Sequence, residues 1–174
     1  MDYLIIEGFM GSGKGNIAKL VSKKLGLTVV DIDRRISDRL KMNTAEIYNH
    51  FGEAYYRAME TLILTDLVHT NKRSVVVLGS GIAMMPQNHD YLKKLGKVYY
   101  IKISKAKVLE RMKSSKKHAW ISAEEWDDQV RKLFEEREPG YMEVADMTIE
   151  ADDLTQEEIA TIIAEDAEAG HHEE

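Results

Sequence analysis

Apolar positions along the chain fall into two rhythms. Five short runs are almost continuously apolar or β-branched: Tyr3–Glu7, Thr28–Asp31, Ser74–Gly79, Val98–Ile103 and Met147–Glu150. A continuous run, rather than an alternating one, predicts a strand buried on both faces. Between these runs the apolar positions recur every three or four residues, which predicts amphipathic helices. Asn16–Leu25 sets Ile17, Leu20, Val21 and Leu25 on one face, and Ala54–His69 carries Leu62, Ile63 and Leu67 along its length. Ser122–Glu136 and Thr155–Asp166 each open on a hydroxyl residue with Glu three positions on. That spacing predicts a capping box at both helix starts. Strand and helix alternate throughout, so the expected fold class is α/β, a five-stranded parallel sheet between two layers of helices.

Composition narrows the picture. The chain has 174 residues, enough for one domain with a real core. We expect that domain over residues 1–168. The end, Ala167–Glu174, is small and acidic, and residues 169–174 are expected as a frayed tail. Its His171-His172 pair is too short to read as a metal site. A net charge of −6 disfavours nucleic acid as a partner, because neutralising phosphates takes a basic face. No apolar run approaches the ~20 residues that span a bilayer, and no basic segment precedes the first apolar run as in a signal peptide. The absence of cysteine excludes disulfides and thiolate metal sites and fits a reducing cytoplasm, the expected location.

Candidate chemistry starts with Gly8-Phe-Met-Gly11-Ser12-Gly13-Lys14, which closes the first strand and opens the first helix. This is the setting a phosphate-binding loop requires. Its glycines let backbone N–H groups face a polyphosphate, the helix N-terminus adds partial positive charge, and Lys14 supplies a full one. Gly11, Ser12, Gly13, Lys14, Gly15 and Asn16 are therefore the candidate nucleotide contacts. Gly15 stands where such loops place a hydroxyl on Mg²⁺. Either the ion is held poorly, or water and phosphate oxygens hold it, since Mg²⁺ takes few protein ligands. The GSGKG run also resembles the loop of adenylate kinases, and that likeness implies a glycine here is compatible with phosphoryl transfer.

Other residues are expected at the same sheet edge. The second strand ends in Asp31-Ile32-Asp33, whose alternation sends both carboxylates to one face, where α/β sheets bind ligands. One can serve a metal, and the other can orient or deprotonate an attacking hydroxyl. A helix cap would account for Asp33 but not for Asp31. Phe51-Gly52 reads as a helix end, and Arg57 follows one turn into the next helix on the side of Glu53 and Glu60. Gly79-Ser80-Gly81 forms a second glycine turn after the third strand. Arg137-Glu138-Pro139-Gly140-Tyr141 reads as the end of a long helix.

Taken together, FGEAYYRAME, EEREPGYMEVAD, the Asp-x-Asp pair and the two glycine turns resemble the shikimate kinase family from Leu4 to Glu150, in that family's order. The resemblance implies a P-loop kinase that moves the ATP γ-phosphoryl group to the 3-hydroxyl of shikimate with Mg²⁺. It implies shikimate held by Asp33, Arg57, Arg137 and the Gly79–Gly81 backbone, and Mg²⁺ reached by Asp31. Lys14 and Asp33 would be catalytic, Glu60 would hold Arg57, and Arg111 would lie near the adenine. A monomer acting on shikimate and ATP, with no nucleic acid or membrane partner, is implied as well. Three positions depart from the family pattern: Gly15, Ser80 in place of a middle glycine, and a lid at residues 112–122 that lacks the family's arginine. Lys116 or Lys117 is left as a stand-in charge, with Lys117 the candidate nucleotide contact. Serine at 80 would be strained if the turn needs positive φ there. A kinase for another small acid such as gluconate, or a binding remnant that turns over poorly, are the alternative readings.

Overall fold

The computed structural model describes residues 3–70, 72–114 and 126–170. Five strands, β1 (Tyr3–Glu7), β2 (Thr28–Asp31), β3 (Ser74–Val77), β4 (Gly96–Lys102) and β5 (Met147–Glu150), form one sheet in the order β2-β3-β1-β4-β5. Every neighbouring pair is parallel. With β1 central, the order reverses direction beside it, and ligands of such sheets bind at that crevice, outside the strands' carboxyl ends.

The connecting helices are α1 (Lys14–Leu25), α2 (Ile32–Leu40), α3 (Thr44–Phe51), α4 (Glu53–Val68), α5 (Pro86–Leu95), α6 (Lys105–Ser114), α7 (Trp126–Val144) and α8 (Gln156–Ala169). They split between the two faces. Leu4 and Ile6 of β1 point into one core with Ile17 and Val21 of α1, Phe134 of α7 and Ile163 of α8. Ile5 points into the other, with Ile36 of α2, Ile47 of α3, Leu64 of α4 and Leu92 of α5. β1 and β3 are buried at every position and so need apolar residues in succession, whereas the edge strands β2 and β5, expected to be buried on both faces, are only partly covered.

Some boundaries differ from expectation. β3 stops at Val77, although Leu78 N still donates to Ile6 O at 3.1 Å. α7 runs through Pro139 to Val144 instead of ending near it. A proline inside a helix costs about 3 kcal/mol locally. Here Val130, Phe134 and Tyr141 of α7 are all buried, and that anchoring carries the helix past the ring. α8 reaches Ala169 with Ala167 in the core, so fraying does not begin at Ala167. The expected capping box at Thr155 is present: Thr155 Oγ1 accepts from Glu158 N, and Glu158 Oε2 accepts from Thr155 N. The corresponding start at Ser122 lies outside the described residues. So do Lys117 and residues 115–122 of the expected lid, whose first residues, 112–114, belong to α6. Among the described residues no helix is long and apolar enough to cross a membrane.

Candidate active site

Between β1 and α1 the chain turns over residues 8–13 with Gly11 at φ 79° and Gly13 at φ 88°. These left-handed values are open to glycine at little cost. A Cβ at Gly13 would meet only the movable amide end of exposed Gln156 on α8, so the backbone conformation is what calls for glycine there. Loop and helix border an open cleft of about 330 Å³, lined by Gly11 to Asn16, Asp31, Asp33, Phe9, Val77 and Leu78. The phosphate-loop candidates and both aspartates thus share one cleft. Arg111 on α6 reaches the same loop, its Nη1 donating to Gly11 O at 3.2 Å. At Gly15 a Cβ would meet nothing within 4 Å, so the missing hydroxyl reflects no steric bar.

The aspartates divide their work differently from expectation. α2 starts at Ile32, and Asp31, not Asp33, is its N-cap, with Oδ1 accepting from Arg34 N at 3.1 Å. Asp33 lies in the first helical turn, so the strand alternation that would align the pair ends before it. Proximity to the same helix start still brings both to the cleft. Asp33 Oδ1 accepts from Tyr56 OH at 2.6 Å. Burial and the Asp33 charge both push the Tyr56 phenol upward, so it stays a donor. Two carboxylates with phosphate oxygens and water are the hard oxygen donors Mg²⁺ prefers. Among the described residues no cluster of three or more His, Asp or Glu forms a protein cage for an ion. This site suits a metal carried largely by its nucleotide.

Behind Asp33 lies a second constellation. Arg57 Nη1 donates to both Glu60 oxygens, at 2.9 and 2.7 Å, and Nη2 reaches Glu53 at 3.3 Å. With Glu60 only 1% exposed, this is no ordinary surface pair on a helix. Burial opposes the Arg57 charge, but Glu60 outweighs it and holds the guanidinium above its ordinary value. Burial in turn raises Glu60 to about 7 against the pull of Arg57.

The turn after β3 ties these parts together. A Cβ on Gly79 would sit 2.7 Å from Asp33 Oδ1 and 2.9 Å from Glu60 Oε1, and one on Gly81 would sit 2.4 Å from the Arg57 guanidinium. A side chain at either position would force these charged groups to move. Ser80 is not strained: among the described non-glycine residues, Lys41 has positive φ and Ser80 does not. Its hydroxyl accepts from Arg137 Nη1 at 2.6 Å, and its carbonyl accepts from Tyr141 OH at 2.5 Å. Asn88 backs the turn, with Nδ2 donating to Ile82 O at 3.0 Å and Oδ1 accepting from Thr61 at 2.7 Å.

Sequence reasoning missed Tyr56, Asn88 and Glu7. Glu7 ends an otherwise apolar strand and is fully buried. The signal for it was an acid at the tail of a run that predicts burial on both faces.

The sequence and the fold both have counterparts among known proteins. The shikimate kinase family model matches residues 10–168. A protein of Thermodesulfovibrio yellowstonii named shikimate kinase is 34% identical over 168 residues, covering 97% of this chain and 96% of that one. The structure of shikimate kinase from Acinetobacter baumannii in complex with shikimate superposes with a TM-score of 0.88 at 26% identity, covering 98% of this chain and 94% of that one. Shikimate kinase from Aquifex aeolicus superposes with a TM-score of 0.82 at 28% identity, covering 97% and 98% of the two chains.

Proposed function

The chain belongs to the shikimate kinase family, and from that premise we propose how its own residues divide the reaction. The enzyme transfers the γ-phosphoryl group of ATP to the 3-hydroxyl of shikimate, giving shikimate 3-phosphate and ADP, with Mg²⁺. A bond forms between the acceptor oxygen and Pγ, and the bond from Pγ to the β–γ bridging oxygen breaks.

Little covalent chemistry is left for the protein, so positioning and charge dominate. Amides of Gly11 to Asn16 cradle the polyphosphate, and Lys14 follows the charge that develops on it. Arg111 borders the nucleotide from α6. Asp33, one oxygen occupied by Tyr56, takes the hydroxyl proton or orients the hydroxyl with the other. Arg57 and Arg137 present guanidinium edges that match the acceptor's carboxylate. Asp31, with Asp33 beside it, would hold Mg²⁺, which supplies charge neutralisation across the phosphates.

One observation carries this division: the turn Gly79–Gly81 abuts Asp33, Glu60 and Arg57 and receives Arg137 through Ser80. A polyol acid seated on that turn meets a base and two cations at once. The net charge of −6, the lack of cysteine and the family resemblance support a cytoplasmic monomer acting on small molecules.

An acceptor panel tests the reading. Purified protein with ATP and Mg²⁺ is offered shikimate, gluconate or AMP, and ADP release is followed by a coupled assay. ADP release stimulated by shikimate alone is expected. Stimulation by gluconate or AMP instead would reassign the acceptor. Shikimate binding without turnover would mark a remnant.

A further inference from the structure

Glu7 is the last residue of β1, directly ahead of the phosphate loop, and has no exposed surface. Its Oε1 accepts from Gly8 N at 2.7 Å. Its Oε2 is buried and has no hydrogen-bond partner. Lys14 Nζ donates to the carbonyl of the same Gly8, so carboxylate and ammonium grip one residue from its two ends. The other charged and titratable groups facing Glu7 are Glu60 of α4, Tyr100 of β4, and Arg137 and Tyr141 of α7.

A buried carboxylate with an unpaired oxygen is costly unless a cation compensates it. In the free protein Lys14 supplies much of that compensation. A polyphosphate in the loop brings several negative charges and draws Lys14 to itself. An anionic Glu7 would then lie buried beneath like charge with its counter-ion engaged elsewhere. Taking a proton from solvent is the inexpensive way out.

We propose that Glu7 is the counter-ion of Lys14 in the free enzyme and takes up a proton at Oε2 when a nucleoside polyphosphate binds. Nucleotide affinity is thereby linked to pH through a residue that touches no substrate. Glu7 acts through Lys14 and is a positioning residue. The inference rests on the loop being a nucleotide site, as the proposed function holds.

The pH window follows from burial, which raises Glu7 from 4.5 to about 7 in the free protein against the pull of Lys14. Below about 7 the carboxyl is already protonated, and nucleotide binding takes up no extra proton there. Above it, binding must load the proton, so affinity falls as pH rises, by up to about tenfold per unit.

Calorimetric titration of ADP with Mg²⁺, in two buffers of different ionisation heat, counts the protons. Subtracting Glu7→Gln removes the nucleotide's own contribution. At pH 8 the wild type should take up about one proton more per ADP than Glu7→Gln, and at pH 6 the difference should vanish. ADP binding with equal proton counts in both proteins at pH 8 overturns this inference alone. No ADP binding by the wild type sinks it together with the functional reading. Should Glu7→Gln fail to fold, infrared difference spectra of the wild type at pH 8 decide. A protonated-carboxyl band appearing with ADP supports the inference, and its absence overturns it.

Discussion

At the scale of single residues, the departures from the family pattern have different physical consequences. Ser80 looked like a liability, because a middle glycine suggests a backbone only glycine adopts. The backbone makes no such demand, and the side chain instead receives Arg137 at 2.6 Å. A hydrogen bond to a charged group is worth about 1.5–3 kcal/mol. Ser80→Gly is therefore expected to raise KM for shikimate about tenfold or more, with kcat and KM for ATP little changed. Ser80→Thr should keep most of the affinity. Steady-state kinetics check this, and equal losses in KM and kcat would mean the turn itself had collapsed. Gly15 is a subtler case, since open space around it means nothing in the fold requires a glycine there. Tyr56 was hidden for another reason: its partner Asp33 is 23 positions away, and no spacing rule reveals such a contact.

At the scale of elements, helices and strands were legible because each carries a period, whereas their ends were not. α7 continues past Pro139 because burial at Phe134 and Tyr141 outweighs a local preference. α2 begins at Ile32, directly after β2, so Asp31 rather than Asp33 caps it and the alternation expected of the Asp-x-Asp pair stops at Asp31. In the proposed function the acceptor side depends on the turn after β3. Gly81→Ala would drive a methyl group to within 2.4 Å of the Arg57 guanidinium. Arg57 must then move, and displacement of a binding group by about 1 Å can cost up to about a hundredfold. We expect KM for shikimate to rise about tenfold to a hundredfold in Gly81→Ala while calorimetric ADP affinity holds. Parallel loss of both would show that the turn supports the nucleotide side as well.

At the scale of the whole molecule, the parallel sheet places two glycine turns, after β1 and after β3, side by side at one edge. In the proposed function one faces phosphates and the other the acceptor, and Asp33 both lines the cleft at the first and abuts Gly79 of the second. The alternation of periods was enough to expect that edge, and the residue types were enough to populate it. Convergence in space was not legible, since Glu7, Lys14, Glu60 and Arg137 come from separate elements and influence one another's charge only when folded. The central claim is transfer to shikimate, rather than nucleotide binding or hydrolysis. Phosphorus NMR of the purified protein with ATP, Mg²⁺ and shikimate tests it directly. The account predicts loss of the γ-phosphoryl resonance with matching growth of a shikimate phosphomonoester and little inorganic phosphate. Unchanged ATP, or inorganic phosphate as the main product, would contradict it.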